Sequence, residues 1–251
     1  MANYGHILFY SLIGGVFSLV GGLLMLSHKK VANILAAYAT PFAAGALLAA
    51  VFLDLLKDGL EDASAGTVMT GTLAGILIFF IAERMLRWFH HHHQHGKADP
   101  SVPLIIAGDT IHNAMDGVAI AAAFLISVPT GIVTTLAVAA HEIPQEIGDF
   151  GLLLSKGLSR KKVLIVNIVS ALATTIMAVL TFWLGSEEAL PTGMLLGLSA
   201  GFLLYIALSD LIPTIHEQTS PKKILNLQPI LLLLGVITVW FAIELAHHIA
   251  G

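Results

Sequence analysis

Eight apolar stretches of roughly twenty residues follow one another along this chain, at about residues 5–26, 33–56, 69–89, 102–126, 131–154, 163–184, 191–212 and 228–247. Twenty helical residues at 1.5 Å each cross the hydrocarbon core of a bilayer. A helix is also the structure that satisfies its own backbone polar groups there. Only 11% of the residues are charged, against about 25% in soluble domains. That is too little charge to cover a water-facing surface, and the apolar content is the opposite of a disordered chain's. The expected fold is therefore all-α, a single polytopic membrane domain over residues 1–251. The first stretch lacks a basic lead and runs too long for the core of a signal peptide, so it is read as a span.

The twelve basic residues orient these spans. Lys29 and Lys30 follow the first span. Arg84, Arg87 and Lys97 fall between the third and fourth, Lys156, Arg160, Lys161 and Lys162 after the fifth, and Lys222 and Lys223 after the seventh. Lys57 alone falls on the opposite side. The positive-inside rule makes the basic side cytoplasmic, with both termini outside, in a cell (inner) membrane. The net charge of −4 carries no basic excess, so nucleic acid is not an expected partner.

Spans two and seven repeat a pattern. Ala44-Gly45-Ala46-Leu47-Leu48 followed by Asp54-Leu55 matches Ala200-Gly201-Phe202-Leu203-Leu204 followed by Asp210-Leu211 at one constant offset. The two spans run in opposite directions, which makes this an inverted-topology repeat, a plan that places a transport site between its halves.

Spans four and five carry the polar residues that the others avoid. Span four reads Asp109-Thr110-Ile111-His112-Asn113-Ala114-Met115-Asp116, and span five His141-Glu142-Ile143-Pro144-Gln145-Glu146-Ile147-Gly148-Asp149. Residues four apart share a helix face, so His112 pairs with Asp116, His141 with Gln145 and Glu142 with Glu146. His112 and His141 each lie roughly 15 Å into the bilayer. Pro144 removes a backbone hydrogen bond, a break that suits a cavity wall. The chain has no cysteine, so a metal here must be held by imidazole, carboxylate, amide or Met. Such donors suit Zn²⁺, and also Fe²⁺, Mn²⁺, Co²⁺ or Cd²⁺. Asp54 reads as an outer mouth, and Asp109, Glu146, Asp149 and Asp210 as an inner exit. Glu83 and Glu244 read as structural or snorkelling residues. His90, His91, His92, His93 and His95 form a His-rich cytoplasmic loop at about 88–101, a flexible metal-binding tether. No organic cofactor is expected. The lipid bilayer and divalent metal ions are the expected partners, and Gly14-Gly15 with Gly21-Gly22 permit close packing within a protomer or in a homodimer.

With these residues in view, the chain resembles the ZIP (Zrt/Irt-like) zinc/iron permease family over essentially its whole length. His112-Asn113-Ala114-Met115-Asp116-Gly117 matches the family's span-four motif, and His141-Glu142-Ile143-Pro144-Gln145-Glu146 resembles the span-five motif of its LIV-1-like branch. The resemblance implies influx of zinc, often also iron or manganese, and a three-plus-two-plus-three arrangement of eight spans. It further implies a binuclear midplane site, with His112, Asn113, Asp116, His141, Glu142 and Gln145 as ligands. Gln145 departs from the branch's usual His, and Ala140 from its usual Cys. The rival reading is an intramembrane zinc metallohydrolase, since His141-Glu142-x-x-Gln145 is one substitution from a zinc-protease helix. Pro144 and the missing second His count against it.

Overall fold

The computed structural model describes residues 2–92, 101–186, 191–218 and 227–250, and within them every side chain except those of residues 86–92, 101, 104, 186, 218, 246, 247, 249 and 250. All the regular structure among them is helical. Eight rods succeed one another in chain order. They are α1 (Tyr4–Ser27) and α2 (Lys29–Asp62), α3 (Ala65–His92), α4 (Ser101–Ile126), α5 (Val128–Ser155) and α6 (Arg160–Ser186), α7 (Thr192–Glu217) and α8 (Leu227–Ala250). Six of them, all but α4 and α5, are long and apolar enough to cross a membrane. The two exceptions are also long, but their His, Asn and carboxylate residues lower their hydropathy. Large apolar side chains cover the outside of the bundle, among them Phe9, Leu73, Val169 and Phe241, each more than half exposed.

Short connections explain the alternating directions. His28 alone separates α1 from α2. Ser127 alone separates α4 from α5; its backbone is extended, its hydroxyl accepts from Thr130 N at 3.1 Å, and Pro129 sits in the first turn of α5. Gly157, at φ +86°, closes α5 in the left-handed conformation that a Cβ would penalise. Lys29, Lys30, Lys156, Arg160, Lys161 and Lys162 consequently gather at one end of the bundle, its basic end. Glu61 and Asp62 lie at the other, its acidic end.

Two helices outrun their apolar stretches. Span two was expected to stop near 56, yet α2 continues to Asp62, because Asp58 is buried and hydrogen-bonded rather than solvated. Span seven was expected to stop near 212, and α7 continues to Glu217. Each contains one π-helical turn, Val51–Leu55 in α2 and Ala207–Leu211 in α7. The two turns occupy equivalent places in the internal repeat, around Asp54 and Asp210. A π turn inserts one extra residue and rotates the rest of the helix about its axis, a feature frequent at functional sites.

The rods fall into two sets. Helices α1, α4, α5 and α6 pack among themselves, chiefly α4 on α6 and α1 on α5 and α6. The second set consists of two close pairs, α3 with α7 and α2 with α8. Most of the close pairs keep a counterpart when α1 is exchanged with α6, α2 with α7, α3 with α8 and α4 with α5, although the α1–α2 contact has no comparable α6–α7 contact among the described residues. The α3–α7 pair then becomes α8–α2, and the α2–α5 contact becomes α7–α4. Glycines mark the equivalent crossings. A Cβ on Gly45 would strike the Leu232 carbonyl and one on Gly235 the Phe42 carbonyl; a Cβ on Gly201 would strike the Thr72 carbonyl and one on Gly75 the Leu198 carbonyl. Backbone meets backbone at both places, the close approach that small residues permit between membrane helices.

Candidate metal centre

His112 and Asp116 lie one turn apart on α4, so both point toward α5, which answers with the adjacent His141 and Glu142. One ligand atom from each of the four falls within 4.8 Å of all the others, and all four residues are buried. The two Nε2 atoms are 3.2 Å apart. From His112 Nε2 it is 3.9 Å to Asp116 Oδ2 and 3.5 Å to Glu142 Oε1. From His141 Nε2 the same oxygens are at 3.3 and 3.8 Å. Two atoms each about 2.1 Å from a tetrahedral ion stand about 3.4 Å apart. Five of the six edges of the cage, at 3.2–3.9 Å, therefore come within about half an ångström of the spacing of a four-coordinate site.

Two further observations fit a cation. All four oxygens of Asp116 and Glu142 are buried without a hydrogen-bond partner. Buried carboxylate oxygens left in that condition are costly unless an ion meets them. His141 Nδ1 faces the Ala137 carbonyl at 3.2 Å. A proton donated there keeps the lone pair on Nε2, facing the cage. Pro144 lies inside α5 three residues beyond His141 and lines the cavity beneath the cage.

The other expected residues take different places. Asn113 is fully buried but engaged elsewhere: its Nδ2 donates to Asp109 Oδ1 at 2.9 Å and to the Asp109 carbonyl at 3.1 Å, and its Oδ1 accepts from Thr174 Oγ1 at 2.8 Å. Gln145 is half-buried and lines a cavity of about 690 Å³ that extends from His112 toward the basic end. Asp109, Asp149 and Asp210 line the same cavity. Glu146 is 1% exposed, with both oxygens unpartnered. Asp54, expected near an interface, is likewise 1% exposed and unpartnered, within the π turn of α2. The backbone of His90, His91 and His92 ends α3, but their side chains, and all of His93 and His95, lie outside what is described.

Sequence reasoning gave Glu83 a structural or snorkelling role and passed over Phe79 and Thr130. Glu83 lines the cavity and accepts a 2.5 Å hydrogen bond from the Tyr205 hydroxyl. Among the described residues, the cavity wall thus carries Glu83, Asp109, Asp149 and Asp210 and no Lys or Arg. Phe79 packs edge-on against His112. Thr130 on α5 donates to Asp58 of α2 at 2.6 Å toward the acidic end. A hydrolase would need Glu142 free to act as base on a metal-bound water. Here Glu142 Oε1 instead faces both imidazoles.

The sequence model described as the ZIP zinc transporter matches residues 101–242. Human zinc transporter ZIP4 is 40% identical over 120 residues, which cover 47% of this chain and 18% of that protein. Zinc transporter ZIP13 of Pongo abelii is 33% identical over 213 residues, 79% of this chain and 63% of its own length. Zinc transporter zipt-7.2 of Caenorhabditis elegans is 37% identical over 121 residues, 47% of this chain and 26% of its own. The matches thus span less than two thirds of each relative's length.

Proposed function

The chain belongs to the ZIP zinc transporter family, and from that premise we propose that it carries zinc across a membrane into the cytoplasm by alternating access. The observation that supports this best is the cage itself. Four buried ligand atoms gather within 4.8 Å of one another, the two carboxylates have no hydrogen-bond partner, and His112 reaches a cavity whose described charged residues are all carboxylates. A resident structural ion would gain nothing from such an exit; a travelling one needs it.

In this reading all eight rods span the bilayer in a three-plus-two-plus-three order, the basic end faces the cytoplasm, and both termini lie outside. Zinc enters past Asp54 and sheds water for His112, Asp116, His141 and Glu142. Gln145 and Asn113 complete or adjust the ligand shell, and the ion leaves past Asp109, Glu146, Asp149 and Asp210. Iron, manganese, cobalt and cadmium share the donor chemistry and are candidate cargoes. The set α1, α4, α5 and α6 carries the cage and moves against the glycine-crossed pairs α2–α8 and α3–α7, exchanging the acidic-end opening for the basic-end one.

Purified protein in liposomes containing a zinc-sensitive dye provides the test. Uptake that His112→Ala or Glu142→Ala abolishes supports the assignment. Flux unchanged in both variants would remove it.

A further inference from the structure

The two imidazoles of the cage are oriented by different means. His141 is steered by the Ala137 carbonyl of its own helix, so its orientation travels with α5. No hydrogen bond among the described residues orients Nδ1 of His112. That ring instead meets the edge of Phe79, with centroids 5.6 Å apart and planes at 87°.

Phe79 belongs to α3, outside the helix set that carries the cage. It is buried, and two aromatic rings of α7 fix it. Tyr205 stacks on it at 5.1 Å and 28°, and Phe202 meets it at 6.3 Å and 60°. Tyr205 is itself pinned, because its hydroxyl donates to Glu83 one turn along α3. A column His112–Phe79–Tyr205–Glu83 therefore runs from the cage into the opposing helices. Such edge-to-face and offset-stacked pairs have preferred geometries, so each ring restricts the next.

We propose that Phe79 is a positioning residue for His112, holding its Nε2 in the cage only while α3 faces α4. This rests on the cage being the cargo site. Rotation of the imidazole about its side-chain torsions swings Nε2 away from the other three ligands, and in this arrangement Phe79 blocks that rotation. Because the block comes from the opposing helices, movement of α4 relative to α3 removes it, while His141 keeps its own restraint. One ligand of the four is thus conditional on conformation, and the affinity for cargo changes with access.

Co²⁺ titrated into the detergent-solubilised full chain, read by its visible ligand-field absorption, tests this. Phe79→Leu should weaken Co²⁺ about 10-fold, the lower range for loss of a group that orients a metal-ligating histidine. Phe79→Tyr, which keeps the ring, should stay near wild type. In a His112→Ala background Phe79→Leu should have no further effect, because the two residues act as one unit. In metal-free protein labelled with ¹⁵N-histidine, Phe79→Leu should shift the ring resonances of His112 and spare those of His141. An additive effect with His112→Ala, or unmoved His112 resonances, overturns the proposal. If His112→Ala and His141→Ala both leave Co²⁺ binding intact, the cargo-site reading fails instead, and the metal-free spectra still decide whether Phe79 holds the ring.

Discussion

Asp58 of α2 accepts a 2.6 Å hydrogen bond from the hydroxyl of Thr130 on α5, joining the two helix sets at the acidic end while the cavity lies toward the basic end. One turn deeper on the same two helices lie Asp54 and Thr134, both buried and both unpartnered. Thr130→Val should release this contact and favour the opposite access. The chain contains no cysteine, so Thr134→Cys gives a single reporter. A membrane-impermeant maleimide applied from the acidic-end side should label Thr134→Cys several-fold faster once Thr130→Val is added. Thr130→Ser, which retains the donor, should not accelerate labelling. Equal rates in all three would mean that the bond does not close this end.

Periodicity records the spans and conceals their meetings. Apolar runs of bilayer length mark spans whatever their neighbours, so the rods fall where the runs do. Helical spacing put His112 with Asp116 on one face, and no rule of spacing alone could say that His141 and Glu142 would meet them. Asn113 sits about 100° round the helix from His112, and in this arrangement its amide meets Asp109 and, on α6, Thr174. Glu83 reads as a neighbour of Arg84 because the chain places them together, yet the helix points Glu83 into the cavity. Phe79 is one more apolar residue in an apolar span, and its role exists only through the rings across from it. The repeat of Asp54 and Asp210 was visible as letters, but the π turn around each was not.

The glycine crossings make a stability prediction with an internal control. A Cβ on Gly45 would drive into the Leu232 carbonyl, backbone that cannot rotate aside. Gly45→Ala should therefore cost about 1–3 kcal/mol, the usual penalty of overpacking, and lower the unfolding temperature in detergent. Gly148 has nothing within 4 Å of its would-be Cβ. Gly148→Ala should be neutral or gain up to about 1 kcal/mol from helix propensity. Thermal scans of the two variants beside wild type check the contrast; equal effects would mean that the α2–α8 crossing is not tight.

Gln145 offers a selectivity test. It stands one turn beyond His141 and lines the cavity directly below the cage. A neutral amide oxygen is a harder and weaker donor than imidazole, so Gln145→His should favour zinc over Fe²⁺ and Mn²⁺ in competition. Uptake from equimolar mixtures, counted by metal analysis of the liposomes, should show the zinc-to-manganese ratio rising several-fold. An unchanged ratio would take Gln145 out of the selection step.

Asp54 should reveal a conflict between stability and transport. Both its oxygens are buried without a partner, a condition that costs about 1–3 kcal/mol in the absence of a cation. Asp54→Leu replaces the carboxyl with an apolar group of similar size in a neighbourhood that includes buried Val51 and Leu55. The variant should unfold a few degrees higher than wild type in metal-free detergent, since each kcal/mol is worth about 2–4 °C in a domain of this size. Its zinc uptake should fall by at least about 10-fold, because the entering ion loses a charged contact at that depth. Added zinc should raise the unfolding temperature of wild type through the cage, and the same concentration should raise that of Asp54→Leu about equally, since the cage itself is intact. A variant that is less stable and still transports would show that Asp54 serves the fold rather than the route. One that loses zinc stabilisation as well as flux would place Asp54 inside the binding site instead of before it.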